Sequence, residues 1–172
     1  MMASNLFKSS FVVGRRAENT FEALAQRKEW KTRHATQRED MLQHWDIEME
    51  KGRLNLKVDV KAMKRQSRSD SQVQSEWTWI ELRGVNEGNK GWLYGGEADL
   101  ITFQRESDFV LVSREDVIDT VERLVDPSLP KVSSAREAKY RVYNRPGRHD
   151  LITMIQMTDL LPYAWKIWKY NE

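Results

Sequence analysis

Asp59 and Lys61 lie two residues apart in a segment, residues 54–62, in which apolar and polar residues alternate. Side chains at positions i and i+2 of a β-strand point to the same side of the sheet, so the carboxylate and the ammonium group would share its polar face. Such a pair can hold a hard metal ion and stabilise the negative charge that develops when a phosphodiester bond is cleaved. The same tripeptide pattern, an acidic residue followed by any residue and a lysine, also occurs at residues 29–31 and 137–139. The tripeptide alone therefore does not define a site.

Asp46 is expected on the same face as Asp59. The apolar residues from Trp45 to Met49 alternate with polar ones, Lys51 and Gly52 supply a turn, and the Asp59 strand follows, which together predict a β-hairpin. For both apolar sets to share one face, the numbers of paired residues must sum to an odd value. This register places Asp46 directly opposite Asp59 or on a diagonal. Carboxylates this close repel each other unless a cation lies between them, and Mg²⁺ prefers such oxygen ligands.

A third acid comes from a helix predicted over about residues 15–30. Its apolar stripe consists of Ala17, Phe21, Leu24 and Ala25. Glu18 falls on the margin of this stripe, whereas Glu22 lies one turn on and further round, so Glu18 is better placed to face the sheet. Glu22, and Glu81 on a later predicted strand, remain alternatives for the acid that completes the site.

The rest of the chain predicts an α/β fold, a mixed and mostly antiparallel sheet flanked by helices. The predicted elements are an ambiguous segment 31–43, an exposed loop 64–76, a central strand 77–85, a glycine-rich turn 84–96, strands 97–104 and 109–112, a helix from the Ser113 cap to about Val125, a hairpin of 140–143 with 151–157, and an aromatic helix around Trp165 and Trp168. We interpret these elements as a single domain, residues 1–172, with a core of about 14–125. The second hairpin and the aromatic helix then occupy residues 138–172.

The distribution of charge is more informative than its total. With 28 basic and 26 acidic residues the formal net charge is only +2, which does not by itself indicate a nucleic-acid-binding protein. The basic residues are clustered, however, in segments 27–38 and 57–68, both next to the candidate site. Such clusters can follow a phosphate backbone, although a solvated surface is the usual explanation. The residues predicted to contact nucleic acid are Lys31, Arg33, Lys64, Arg65 and Lys90.

The composition excludes several other classes of protein. Cysteine is absent, which rules out disulfides, thiolate metal sites and cysteine nucleophiles. No segment approaches the roughly 20 consecutive apolar residues of a membrane span, so a cytoplasmic protein without a membrane partner is predicted. The glycine-rich segment lacks the spacing of nucleotide-binding motifs.

The order of Glu18, Asp46, Asp59 and Lys61, on a helix and two strands, resembles the motif of the PD-(D/E)XK nuclease superfamily. The resemblance is strongest to the archaeal-type Holliday-junction-resolvase branch. It implies a restriction-endonuclease-like core and a nuclease that hydrolyses DNA, including branched DNA, with Mg²⁺ or Mn²⁺. The four residues would be catalytic, and Asp46, Asp59 and Glu18 would bind the metal.

This resemblance covers about residues 14–65, because the first helix also resembles the start of that branch. Residues 77–95 separately resemble phage-encoded members of the superfamily. Two features depart from the family. Trp45 stands before Asp46 where proline is usual, and a loop and a strand are predicted after Lys61 where the family has a helix.

Other functions fit the same residues. A nucleic-acid-binding or assembly protein can keep this fold without catalysis, and RNA is a second candidate substrate. Most of the tryptophans are predicted to lie in the core. Trp165 and Trp168 can instead form a contact between two copies of the chain. A nuclease that makes paired cuts would need such a homodimer.

Overall fold

A computed structural model describes residues 2–85 and 88–172, with side chains from residue 11 onward. The strands are β1 (Lys31–His34), β2 (Ile47–Lys51), β3 (Leu54–Lys61), β4 (Trp77–Arg83), β5 (Leu100–Gln104), β6 (Asp108–Ser113), β7 (Tyr143–Asn144), β8 (Leu151–Gln156) and β9 (Ala164–Lys169). The helices are α1 (Met2–Arg27), α2 (Gln37–Gln43), α3 (Gly91–Gly95), α4 (Arg114–Leu124) and α5 (Met157–Leu160), with short 3₁₀ helices at Ala135–Glu137 and Leu161–Tyr163. The predicted mixed α/β fold, with a mostly antiparallel sheet flanked by helices, is confirmed.

The main sheet has six strands in the order β1-β2-β3-β5-β6-β9, and β4-β8-β7 form a second, antiparallel sheet. Neighbours in the main sheet are antiparallel except β3 and β5, which are parallel. Parallel strands cannot be joined by a tight turn. The chain therefore crosses over between them, and residues 62–76, β4 and α3 lie within this connection.

Two apolar clusters cover the two faces of the main sheet. On one face α1 buries its predicted stripe against β2, β3 and β6, and the members from these elements are Ala17, Phe21, Leu24, Ala25, Ile47, Met49, Val58, Val60, Phe109 and Leu111. The other face of β5 and β6 packs against α3, α4 and the second sheet through residues that include Ile80, Leu93, Ile101, Phe103, Val110, Val112, Val117, Val121 and Ile155. The sheet is thus buried on both sides, and polar groups that lie within it need partners or a function.

The hairpin of β2 and β3 has the predicted register, because Ile47 pairs with Val58 and the numbers of all partners sum to the same odd value. Gly52 supplies the turn with a φ of 64°, a conformation that glycine adopts without strain. Trp45 is an exception to the predicted alternation. Since β2 begins only at Ile47, Trp45 is free to pack in the cluster on the opposite face, with Trp92.

Several other predicted elements are confirmed. These are β5, β6, the hairpin of β7 and β8, and α4, whose N-terminal cap is Ser113. The Ser113 Oγ accepts a hydrogen bond from the Asp116 N–H at 3.0 Å, and Glu115 and Asp116 in the first turn complement the helix dipole. Within the described residues no helix is long and apolar enough to cross a membrane.

The first helix and the segment after it differ from the prediction. α1 begins at Met2, well before residue 15. The ambiguous segment 31–43 contains both a strand, β1, and a helix, α2. Thr36 starts α2 with a capping box, in which its Oγ1 accepts from the Glu39 N–H and its own N–H donates to the Glu39 carboxylate.

The prediction of a central strand at residues 77–85 is wrong. β4 is an edge strand of the second sheet and pairs with β8. The glycine-rich segment is not a simple turn either, since Gly91–Gly95 form α3, while Asn86 and Glu87 of that segment lie outside the described residues. Gly91 has a φ of 72°, and a Cβ there would lie 2.9 Å from the Glu81 carbonyl oxygen. Glycine at this position therefore allows α3 to approach β4 closely.

The prediction of a C-terminal aromatic helix is also wrong. Ala164–Lys169 form β9, which pairs with β6 as the edge strand of the main sheet, so the core extends beyond residues 14–125. Trp165 and Trp168 have a spacing that fits one helix face, but an irregularity in the pairing with β6 breaks the strand alternation. Both rings consequently lie near Trp30, at 6.3 and 6.5 Å between centroids. Trp168 is buried, so a contact between copies of the chain can use only Trp165, which is 40% exposed.

Candidate active site

A groove of about 1050 Å³ opens beside the end of β3, with walls from α1, residues 62–68 and 73–75, β4 and the turn between β7 and β8. The acidic residues that line it are Glu18, Asp40, Asp46, Asp59 and Glu81, and the basic ones are Lys61, Lys64, Arg65, Arg68, Arg145 and Arg148, with His44 nearby. The four residues predicted as catalytic, Glu18, Asp46, Asp59 and Lys61, therefore line the same groove.

Asp46 and Asp59 are brought together by the register of the hairpin. Ile47 pairs with Val58, which places Asp46 opposite Asp59. The Asp46 Oδ2 accepts a hydrogen bond from the Val60 N–H at 2.7 Å, and Asp59 is only 4% exposed. Burial, and next the charge of Asp59, raise the pKa of Asp46 to about 8, because both disfavour its ionised form. Near neutral pH the pair consequently retains a proton unless a further cation is present.

Lys61 lies between Asp59 and Trp92. Its Nζ is 2.6 Å from the Asp59 Oδ2 and 4.3 Å from the centroid of the Trp92 ring. The negative face of an indole attracts an ammonium group. Trp92 belongs to α3 and is 8% exposed, so the core fixes its ring. The fold thus holds the lysine from two sides, and the sequence predicted only the side of the carboxylate.

Three residues are candidates for the third acid of the site. Glu18 lines the groove from α1, and its charge adds to the raised pKa of Asp46. Glu81 lines the groove from β4. Glu22 lies outside the groove, with its Oε2 2.9 Å from the His34 Nε2. Glu18 and Glu81, but not Glu22, therefore line the groove that contains the aspartate pair.

The oxygen donors of the aspartate pair fit a hard divalent cation. Mg²⁺ commonly takes one or two carboxylates and fills its other positions with water and substrate phosphate, and Asp46 and Asp59 supply two. A cation between them would relieve the repulsion that raises the pKa of Asp46. Among the side chains that the structure describes, no three carboxylate or imidazole groups gather closely enough to share one ion. Glu18 lines the same groove, and its role as a third ligand stays a prediction.

The five residues predicted to contact nucleic acid divide into two groups. Lys64 and Arg65 line the groove, whereas Lys31, Arg33 and Lys90 lie outside it. Lys31 and Lys90 are exposed, on β1 and immediately before α3 respectively. Sequence clustering therefore identified basic residues near the site only for the second segment.

Arg33 is committed to contacts within the protein. Its guanidinium nitrogens lie 3.0 Å from Glu39 and 2.7 Å from Glu48, and the group lies 5.0 Å from the centroid of the Trp45 ring. The hydrogen bonds that Arg33 donates lower the pKa of Glu39 to about 2, because they favour the ionised carboxylate. A side chain held in this way stabilises the packing of α2 against the sheet.

Two arginines of the groove, Arg145 and Arg148, were missed by the sequence reasoning, whereas Arg68 belongs to the predicted basic segment 57–68. Arg68 lies in the loop that follows β3, and Arg145 and Arg148 lie in the turn between β7 and β8. The only signal in the sequence was the pair of arginines flanking Pro146 and Gly147, which reads as an ordinary turn. Their proximity to Asp59 depends on how the second sheet packs.

No protein-family model matches the chain, and comparisons with curated proteins and with solved structures also give no match. The functional argument therefore depends on the geometry and chemistry of the groove.

Proposed function

We propose that the protein is a divalent-metal-dependent endonuclease that hydrolyses DNA phosphodiester bonds. In this proposal the chain forms one nuclease-like domain with a restriction-endonuclease-like core of the PD-(D/E)XK kind. The observation that supports it most strongly is the pairing of the partly buried Asp46 with the buried Asp59, next to Lys61 in an open groove. An acidic pair of this kind is costly to the fold, and binding a metal ion would compensate for that cost.

The residues of the chain then take separate roles. Asp46 and Asp59 hold Mg²⁺ or Mn²⁺, which when bound supplies polarisation of the scissile phosphate and compensation of its charge. Lys61, which lies beside Asp59 and is also attracted by Trp92, would orient the attacking water or stabilise the extra negative charge of the transition state. Glu18, at the margin of the pair, positions water.

Cleavage is expected to depend fully on a divalent cation. The protein should nick or cut DNA with Mg²⁺ or Mn²⁺ and stop when EDTA removes the metal, because the carboxylates repel phosphate when no cation neutralises them. The measurement is electrophoresis of labelled branched, nicked, single-stranded and duplex DNA, with matched RNA strands to test the second substrate. Full activity in EDTA would show that the proposed chemistry is wrong.

Trp92 is expected to act on the reaction through Lys61. Trp92→Leu should slow single-turnover cleavage about tenfold and Trp92→Phe less, because a cation–π contact contributes roughly 0.5 to 2 kcal/mol and a phenyl ring retains part of it. The test is a double-mutant cycle with Lys61→Ala, with melting temperatures recorded in parallel. If Trp92→Leu slows the Lys61→Ala protein as much as the wild type, the tryptophan does not act through the lysine.

A second candidate function is supported by the ion pair itself. Lys61 already lies 2.6 Å from Asp59, an arrangement that partly neutralises the acidic pair without a metal. A nucleic-acid-binding or assembly protein that has kept the fold without catalysis would be stable in this state. It would bind DNA in a salt-sensitive manner that Asp59→Ala leaves unchanged, and calorimetry would detect no Mn²⁺ binding.

A further inference from the structure

We infer that Lys64, Arg68 and Arg148 form a basic wall that binds the phosphate backbone of DNA along one side of the groove. This inference extends the proposed function, since it assigns the surface along which the substrate reaches Asp59. The wall combines two segments that lie far apart in the sequence. Lys64 and Arg68 belong to the connection after β3, and Arg148 belongs to the turn after β7.

The first segment is an exposed loop, as predicted, and contacts with the rest of the protein hold it in place. Arg65 donates to the backbone carbonyls of Arg68 and Asp70, and its own carbonyl accepts from the Trp79 Nε1 at 3.0 Å. The Asp70 carboxylate pairs with Arg136 at 2.6 Å. These contacts tie the segment to β4 and to the region before β7, so Lys64 and Arg68 are held at the groove.

The second segment is fixed in a similar way. Arg145 pairs with Asp150, whose side chain is fully buried, and the Arg83 Nε donates to the His149 carbonyl at 2.9 Å. The turn that carries Arg148 is therefore anchored at both ends. Its rigidity matters because a preorganised cation loses less conformational entropy when it binds a ligand.

The cations of the wall are not paired with any of the carboxylates that the structure describes in the groove. Within the described part of the chain, Lys64, Arg68 and Arg148 form no ion pair, whereas Arg33 and Arg145 are paired with carboxylates. Desolvation, and next the charges of Arg148 and Arg68, lower the pKa of Arg145, so these positive charges repel one another. An anionic ligand would remove this repulsion.

A chain of phosphates fits the wall better than a single small anion. The unpaired cations are distributed along a groove of about 1050 Å³ that also contains Asp59 and Lys61. A nucleic-acid backbone offers a charge every few ångströms and can meet several of these cations at once. It can thereby pass from the basic wall to the aspartate pair.

The salt dependence of DNA binding tests the wall without requiring cleavage. The full-length protein is titrated with a fluorescent DNA duplex in EDTA over a series of salt concentrations. Each phosphate contact contributes about 0.9 to the slope of log affinity against log salt. We expect Arg68→Gln/Arg148→Gln to lower this slope by about 2, and the affinity about tenfold or more at low salt. Adding Lys64→Gln should lower the slope by about one more.

The matched control is Arg53→Gln/Lys131→Gln, which removes the same charge from exposed residues outside the groove and should change the slope by less than about 0.5. An equal loss in the control pair, an unchanged slope in the wall variants, failure of the wild type to bind DNA, or tighter binding of a matched RNA duplex would each overturn the inference. The proposed cleavage is judged separately. If the wild type cleaves DNA with metal but the Arg68→Gln/Arg148→Gln variant binds DNA normally, only the inference of a basic wall is refuted. If the protein never cleaves DNA but shows the predicted salt slopes, only the proposed nuclease activity is refuted.

Discussion

Asp59→Ala is expected to reduce metal-dependent DNA cleavage at least about a thousandfold while leaving the fold intact. The substitution removes one of the two facing carboxylates, and Asp46 alone can hold a divalent cation only weakly. It also removes a buried charge that repels Asp46, so the loss of the Lys61 ion pair is partly offset in the free energy of unfolding. The measurement is the initial rate of cleavage at saturating Mn²⁺, with calorimetry of metal binding and thermal unfolding of the same preparations.

Asp119→Ala is the matched control, because Asp119 is an exposed aspartate on α4 outside the groove. The Asp119→Ala variant should cleave DNA at the rate of the wild type and unfold at the same temperature. Asp59→Asn preserves the shape of the side chain and is expected to be nearly as inactive as Asp59→Ala. Retention of more than about a tenth of the activity by Asp59→Asn in a folded protein would show that Asp59 does not hold a catalytic cation.

Asp46→Asn is expected to inactivate the protein and yet to stabilise it above neutral pH. Folding raises the pKa of Asp46 from 3.8 to about 8, so between these values the folded state holds a proton that the unfolded state releases. The stability of the wild type consequently falls as the pH rises through this range. Asparagine carries no such charge and can still accept the Val60 hydrogen bond. By pH 8 the variant should be more stable by about 2 kcal/mol or more, or at least about 4 °C in melting temperature.

The same experiment separates electrostatic strain from packing. Near pH 4 the two proteins should melt at similar temperatures, because Asp46 is then protonated in the folded wild type. Mn²⁺ should raise the melting temperature of the wild type at pH 8 and have little effect on Asp46→Asn. If the variant is less stable than the wild type at pH 8 without metal, burial next to Asp59 does not strain Asp46.

The parts of the site that come from one hairpin were predictable from the sequence. Asp46 and Asp59 lie on segments joined by a tight turn, so the alternation of apolar residues was enough to place both on one face, and the structure shows that they lie opposite each other. The apolar stripe of α1 likewise placed Glu18 at the margin of a buried face. Trp45 marks where this reasoning fails, because strand alternation does not extend past the first residue of β2.

The same local reasoning misplaced the elements whose structure depends on distant partners. β9 carries tryptophans with a helix-like spacing, and only its pairing with β6 and the packing of Trp168 against Phe21 at 5.4 Å select the strand. β4 was predicted as a central strand since it is apolar on both sides, but its neighbours are β8 and α3. The periodicity of apolar residues indicates which side chains are buried, but it does not identify the element against which they pack.

The amino-acid sequence was therefore sufficient to place the two aspartates and Lys61 on one face, because period-two alternation restricts the hairpin to registers that bury its apolar side chains on the other face. Glu81, Trp92 and Arg148 lie roughly 20 to 90 residues from Asp59 along the chain, and local patterns carry no information about contacts over such distances. Their positions depend on the long connection between the parallel strands β3 and β5, which brings α3 and the second sheet against the end of β3. Only the tertiary structure places Trp92 against Lys61, and only the tertiary structure brings the unpaired cations of the basic wall into the groove that contains the two aspartates.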